Sequence, residues 1–466
     1  MNIPIGSKFS LSLTDTENPL YLQLADQLRL AISRGDVADG ERLPSIRQLS
    51  TRLNINPATV VAAYRILEQE GFVRSRPGSG IYACRSNFED HVLENLSPFP
   101  RSILPNTAFD LAAPTPSPDQ FPVQQFKGIC NEILDRDGGW AFEYQPSAGW
   151  LPFRDTLRAY ARETLCIESN AELIWIVSGA QQGIDITAKA LLHPGDRVLV
   201  EEPTYRGALA AFWSRGADTI PVPLTRKGMD MDILEKRITT HRPVLIYIQS
   251  RFQNPSTISW SREHMETLLK WADTYEFYIL EDDLLSDLYF YQKPDPLTMK
   301  SLDTRDRVIY VRGFSKVLLP GLRLGMLVVP PQLQQSFELA KLSTDIYTDG
   351  FLQRAVDLYM RRNLHIDRMD ELRQAYRSIY DSFVSAVRTH LEPLGCSFLA
   401  PQGGLHLWIT LPENTDWLKL QHRAQEQKLM IPPLDVLQST KYLRLSFACI
   451  QQEMIQNSIQ ALAECL

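Results

Sequence analysis

Absences narrow the reading first. The chain has six cysteines in 466 residues, and none forms a CxxC pair or a Cys/His cluster, which argues against a disulfide framework or a structural zinc. It has no run of 18 or more apolar residues, so no membrane-spanning helix is expected, and it opens on no basic-then-apolar leader. Positive charge is not in excess: 48 Lys and Arg stand against 55 Asp and Glu, a net of −7. A protein that coats nucleic acid over its whole surface is therefore not expected. Internal repeats and low-complexity tracts are also missing. The expectation is a soluble, cytoplasmic, globular protein with free thiols, no metal site, and any nucleic-acid contact confined to one patch.

At this length two or three domains are expected, since single cores rarely grow past roughly 250–300 residues. Residues 1–85 carry ten Lys and Arg against eight Asp and Glu. The acidity lies in the remainder, and the first 85 residues are where a polyanion could be met.

In that stretch Leu20, Leu24, Leu28 and Ile32 repeat every four residues and predict a helix that stops at Gly35. Ser45 after Pro44 is a natural N-cap for a short helix striped by Ile46, Leu49 and Leu53. Asn56-Pro57 opens a third helix, with Val60, Tyr64 and Leu67 inward and Ala58, Thr59, Ala62 and Arg65 outward. Two short helices joined by Asn54-Ile55-Asn56 have the spacing that sets the second into a major groove. The run from Gly71 to Tyr82, with Gly78-Ser79-Gly80 at its tip, reads as a hairpin offering Arg74 and Arg76 to phosphates. By spacing alone the alternative, a small packing unit with no DNA to read, stays open.

Residues Arg42 to Leu49, Thr59-Val60 with Tyr64 and Leu67, and Gly71-Phe72-Val73 through Gly78-Ser79-Gly80 resemble, in order and spacing, the GntR-type winged helix-turn-helix. The resemblance covers about residues 18–84. It implies double-stranded operator DNA as partner, met through Ser45, Arg47, Thr59, Arg65, Arg76 and the Gly78 tip. From residue 86 to 120 periodicity fades and prolines accumulate, the pattern of a stiff linker.

Beyond Phe121 short apolar runs alternate with helical segments. Ile174–Val177, Arg197–Val200, Val244–Ile248, Phe277–Leu280 and Val308–Val311 predict an α/β domain with a mostly parallel sheet covered on both faces. Ligands of such sheets gather at the strand C-terminal ends. There the chain places Ser178-Gly179-Ala180-Gln181-Gln182-Gly183, small residues opening a helix and able to meet a phosphate. It also places Glu281-Asp282-Asp283, a carboxylate run that elsewhere is solvated or metal-bound. A lysine that forms a Schiff base needs a neutral amine, a carboxylate for a pyridinium nitrogen and a cation for a phosphate. Lys316, Asp282 and Arg323 supply that set.

These markers, together with Tyr144-Gln145-Pro146, Glu202-Pro203-Thr204-Tyr205, Asn254-Pro255, Pro320 to Gly325 and Leu443 to Phe447, resemble fold-type I aminotransferases. Over the whole chain they resemble the MocR-type regulators, which join such a domain to a GntR-type helix-turn-helix. The resemblance implies pyridoxal 5'-phosphate as cofactor, with Lys316 as its covalent lysine, Asp282 at the ring nitrogen, Asn254 at the ring hydroxyl and Tyr205 stacked on the ring. Ala180, Gln181, Ser315 and Arg323 would hold the phosphate, with Tyr144 reaching across a homodimer. Arg444 would grip the carboxylate of an amino acid or amine effector. The implied organisation is a DNA-binding domain over 1–85, a linker over 86–120, a large cofactor domain over 121–345 and a smaller lobe over 346–466.

The chain departs from the pattern at Leu284-Leu285, where a tyrosine is usual, at Gly313, where Thr or Ser is usual, and at Ser256-Thr257, where Thr-Gly is common. The expectation is that each departure removes a hydrogen bond and that turnover suffers more than cofactor binding. A PLP-dependent transcriptional regulator is the function read from the sequence. The alternatives are an aminotransferase with a DNA-binding appendage and a cofactor-free dimerisation scaffold.

Overall fold

The computed structural model describes residues 3–5, 9–11, 20–34, 37–38, 40–69, 72–76, 80–83, 109–113, 115–118, 121–316, 320–432 and 441–466. The chain divides into two compact units, Met1–Phe99 and Pro100–Leu466.

In the first unit the helix Leu20–Arg34 packs with Ile46–Leu53 and Pro57–Gln69, followed by the antiparallel strands Val73–Arg76 and Gly80–Ala83. Leu24, Leu28, Ile32, Leu49, Val60, Tyr64, Leu67 and Phe72 are buried together. Leu20 is an exception to the expected stripe: it begins the first helix and stays exposed. Ser45 caps the second helix, its Oγ accepting from Gln48 N (3.3 Å) while Gln48 Oε1 accepts from Ser45 N (2.9 Å), a reciprocal capping box. Asn54 ends that helix in the left-handed conformation (φ 53°), which asparagine tolerates better than most residues. Asn56 Oδ1 then accepts from Ala58 N at 2.8 Å to start the third. The Tyr64 hydroxyl donates to Pro44 O at 2.6 Å, tying the third helix to the start of the second.

In the second unit an eight-stranded sheet runs in the order Ile174–Val177, Gly325–Val328, Val308–Gly313, Tyr278–Asp282, Leu245–Ile248, Arg197–Glu202, Asp218–Thr225, Gly228–Met229. Gly325–Val328 and Gly228–Met229 run antiparallel to their neighbours, and the other pairs are parallel. Ile174–Val177, Leu245–Ile248, Val308–Gly313 and Gly325–Val328 are buried along their whole length. That is why they read as continuous apolar runs rather than alternating ones. The 27-residue helix Leu364–His390 leads to a three-stranded antiparallel sheet of Ser397–Phe398, His406–Thr410 and Tyr442–Ser446.

The segment read as linker is folded at its C-terminal end. Phe109–Asp110 pairs in parallel with Leu429–Met430, and Ser446 N donates to Leu111 O at 2.8 Å. A proline-rich composition hid this short strand, whose partners lie more than 300 residues away.

Candidate cofactor site and DNA-reading surface

The site is built at the C-terminal ends of five sheet strands. Val177 runs through Ser178-Gly179 into the helix Ala180–Leu191, which has no side-chain cap. Space here is too small for larger residues. A Cβ on Gly179 (φ 84°) would lie 2.7 Å from Arg323 Nη2, and one on Gly325 would lie 2.7 Å from Arg312 O. Arg323 Nη1 donates to Ser315 Oγ and its Nη2 to Ser178 O, both at 3.2 Å. An uncapped helix N-terminus facing a guanidinium and a serine hydroxyl makes a cradle for a phosphate dianion. Gln181 Nε2 donates to Gly207 O at 2.8 Å, and its Oε1 is buried with no donor.

The three neighbouring carboxylates have three separate uses. Glu281 accepts from Met299 N and Lys300 N, both at 2.8 Å, and caps a short helix. Asp283 accepts from Arg312 Nη1 and from the Tyr310 hydroxyl, both at 2.7 Å. Arg312 is 1% exposed, and its other arm bonds Asp287. Asp282 is bonded instead from Tyr247 and Gln249, in and just past a neighbouring strand. Its Oδ2 accepts from the Tyr247 hydroxyl (2.7 Å) and Gln249 Nε2 (3.1 Å), whereas its Oδ1 is buried without a donor. Burial pushes the Asp282 carboxyl up to about 6, with both hydrogen bonds opposing. Among the described residues no group of three or more His, Cys, Asp or Glu could hold a metal.

Lys316 follows the strand Val308–Gly313, where Phe314 N donates to Leu324 O at 3.0 Å and closes the loop. Burial first, then the charges of Arg444 and Arg323, pull its amine down to about 7. An amine so placed is largely neutral near physiological pH, as a nucleophile requires. The Tyr205 hydroxyl is pushed up to about 12 by burial and by Asp282, with Arg323 and Arg444 opposing, so the ring sits among these groups. Arg444 Nη1 donates to Asn254 Oδ1 (3.2 Å) and its Nη2 to Ala112 O (3.1 Å). His406 Nε2 lies 3.1 Å from Pro255 O, and burial holds the ring neutral, its value pulled down to about 3.

Ala180, Gln181, Tyr205, Asn254, Asp282, Ser315, Lys316, Arg323 and Arg444 are thus drawn into one neighbourhood. Tyr144 is not among them: it is 74% exposed, its ring 5.4 Å from that of Tyr347. The residues present fit pyridoxal 5'-phosphate, because a buried acceptor without a donor, a neutral lysine and an anion cradle are what that group needs. The departures prove to be partly steric. A Cβ on Gly313 would meet Ala180 Cβ at 3.2 Å, and Leu285 packs in the core with Leu284 against it. Thr257 adopts φ 64°, a strained conformation for a β-branched residue. Tyr247, Gln249, His406 and Ala112 were not legible as site residues. Tyr247 read as strand filler, and the other three carry no motif.

In the first unit Ser45, Arg47 and Arg65 are exposed and Thr59 is half-buried, on the capped end of Ile46–Leu53 and on Pro57–Gln69. Ser75 N donates to Glu68 Oε1 at 2.9 Å, tying the hairpin to the third helix. Arg76 pairs with Gly80 through its backbone, and Gly78 lies outside the described residues. Arg42 packs on Gly80 so closely that a Cβ there would lie 2.8 Å from its Nε. No helix among the described residues is long and apolar enough to cross a membrane.

Residues 118–462 match the aminotransferase class I and II family, and residues 20–83 match the gntR family of bacterial regulatory proteins. The aromatic-amino-acid aminotransferase 1 of Thermococcus litoralis is 30% identical over 363 residues, covering 76% of this chain and 87% of that one. The probable rhizopine catabolism regulatory protein MocR of Rhizobium meliloti is 28% identical over 431 residues, covering 88% and 82%. Among solved structures, the alpha-aminoadipate aminotransferase of Thermus thermophilus, complexed with N-(5'-phosphopyridoxyl)-L-leucine, is 28% identical. It superimposes with a TM-score of 0.72 over 82% of this chain and 98% of that one. The chain belongs to the aminotransferase class I and II family and, with its gntR-family DNA-binding domain, is a regulator of the MocR type whose larger unit is built for pyridoxal 5'-phosphate.

Proposed function

We propose that the protein is a cytoplasmic, homodimeric transcriptional regulator in which an amino acid, or another small amine, acts at the Lys316 site and changes operator affinity. Bound there, pyridoxal 5'-phosphate supplies an aldehyde that condenses with amines and a ring that withdraws electrons. Lys316 would hold it, with Asp282 at the ring nitrogen and Arg323, Ser315 and the Ala180 helix end at the phosphate. Tyr144, exposed on its own chain, is available to a partner subunit's site.

The contact that carries this reading is Arg444 Nη2 to Ala112 O. A carboxylate binds a guanidinium more strongly than a neutral carbonyl does, so an amino-acid effector would compete with Ala112 for Arg444. Ala112 follows the strand Phe109–Asp110, which in sequence comes directly after the stretch leading from the DNA-binding unit. Effector binding would therefore release Ala112 from Arg444, the differential contact a two-state shift requires.

Amino acids should change operator affinity in the wild type and fail to do so in Arg444→Ala, whereas PLP uptake persists. Fluorescence anisotropy on a DNA fragment from upstream of the gene, run with each amino acid, measures this. An effector response unchanged in Arg444→Ala would sink the competition and leave PLP itself as the signal. A second reading, a working aminotransferase, draws support from the neutral Lys316 amine. Multiple turnovers with a keto-acid acceptor, at roughly 1–10³ per second, would favour it.

A further inference from the structure

Gln249 lies at the C-terminal end of the strand Leu245–Ile248, fully buried, and no motif includes it. Its side-chain amide is used at both ends. Nε2 donates to Asp282 Oδ2 and to the Tyr247 hydroxyl, both at 3.1 Å. Oε1 accepts from Asn254 N at 2.6 Å. Its own backbone N donates to Glu201 Oε2 at 3.1 Å, which stops the residue from sliding along the strand.

We propose that Gln249 is the positioning residue of the cofactor site: one amide holds the Asp282 carboxylate and the Asn254 backbone at a set separation and helps keep Asp282 ionised. The inference rests on the reading that the site takes pyridoxal 5'-phosphate.

The chemistry follows from what surrounds Asp282. Burial disfavours its charged form, and the neighbouring Asp283 charge adds to that; Tyr247 and Gln249 are the two donors that oppose it. Glu201, on the adjacent strand Arg197–Glu202, has its carboxyl pushed by burial up to about 8, so near neutral pH it is mostly protonated and adds little charge. Tyr205 also faces Asp282, and its phenol stays neutral. Without the Gln249 donor, Asp282 should keep its proton to higher pH and offer a weaker partner to a ring nitrogen. Without the Gln249 acceptor, the half-buried Asn254 N–H loses that partner, and Asn254 Oδ1 is the atom that Arg444 holds.

The experiment titrates PLP into the full-length protein, following visible absorbance from about pH 5 to 9, for wild type, Gln249→Leu and Tyr247→Phe. Gln249→Leu should bind PLP on the order of tenfold more weakly, the loss of one buried hydrogen bond to a charged group. The pH at which affinity is half-maximal should rise above the wild-type value. Tyr247→Phe removes the other donor and spares Asn254, so it should move the same midpoint, and it stands in if Gln249→Leu does not fold. Melting of the cofactor-free proteins separates a fold defect from a site defect, since a merely structural role would lower stability without moving the midpoint. Wild-type midpoints in both variants would overturn the positioning role. A wild type that takes up no PLP would instead overturn the cofactor reading beneath it.

Discussion

At the residue scale, the environment of two ionisable groups decides what the site can do. Lys316 is pulled down to about 7 by burial and by Arg444 and Arg323, and Asp282 is pushed up to about 6 by burial. The useful states are the deprotonated ones in both cases, neutral for the amine and anionic for the carboxylate. Both are populated above pH about 7; as pH falls, the neutral amine is lost through about 7 and the carboxylate through about 6. The rate of PLP attachment should therefore rise roughly tenfold per pH unit up to about 7 and then level off. Stopped-flow absorbance across that range measures it. A rise that continues toward the ordinary lysine value of 10.5 would show that Lys316 is not desolvated as described. Thr257 is a residue-scale feature of another kind, since its φ of 64° costs on the order of 1–2 kcal/mol that a glycine would not incur.

At the element scale, the helix Pro57–Gln69 owes its angle to a few directional contacts as well as to its apolar face. Asn56 starts it, Glu68 holds the hairpin strand, and Tyr64 reaches back to Pro44. Tyr64→Phe keeps the buried ring and deletes only the hydroxyl, leaving Pro44 O without that donor. Loss of this bond should destabilise the first unit by about 1 kcal/mol. It should also weaken operator binding, because the helix that carries Thr59 and Arg65 is no longer fixed to the one that carries Arg47. Thermal melting and DNA titration of the same variant test both halves. Unchanged operator affinity with lowered stability would mean that packing alone sets the helix angle.

At the scale of the whole molecule, charge is partitioned between the units. The net of −7 over 466 residues coexists with ten basic against eight acidic residues in 1–85, so non-specific attraction to DNA is weak and specificity must come from a few side chains. Arg47 is exposed beside the capped start of Ile46–Leu53. Arg47→Ala should weaken operator binding by roughly 1–3 kcal/mol, with little change on unrelated duplex DNA. Equal losses on both duplexes would reassign Arg47 to phosphate contact.

The parts of this protein that the sequence by itself determined are those governed by local rules. Helix stripes of period near 3.6, the Ser45 cap, the apolar strand runs, and the small residues around Gly179 and Lys316 are all dictated within about ten residues of chain. The family resemblance rests on those same short motifs. Only the tertiary structure decided the hydrogen-bond partners of Glu281, Asp282 and Asp283, because side chains alternate along a strand and the partners of each lie on other elements. Gln249 became a site residue in the same way, through strand order rather than through any motif. So did Ala112, which meets Arg444 across 332 residues of chain. A hydrogen bond between such distant groups depends on sheet register and on the packing of helices over it, and no local pattern in the sequence encodes either.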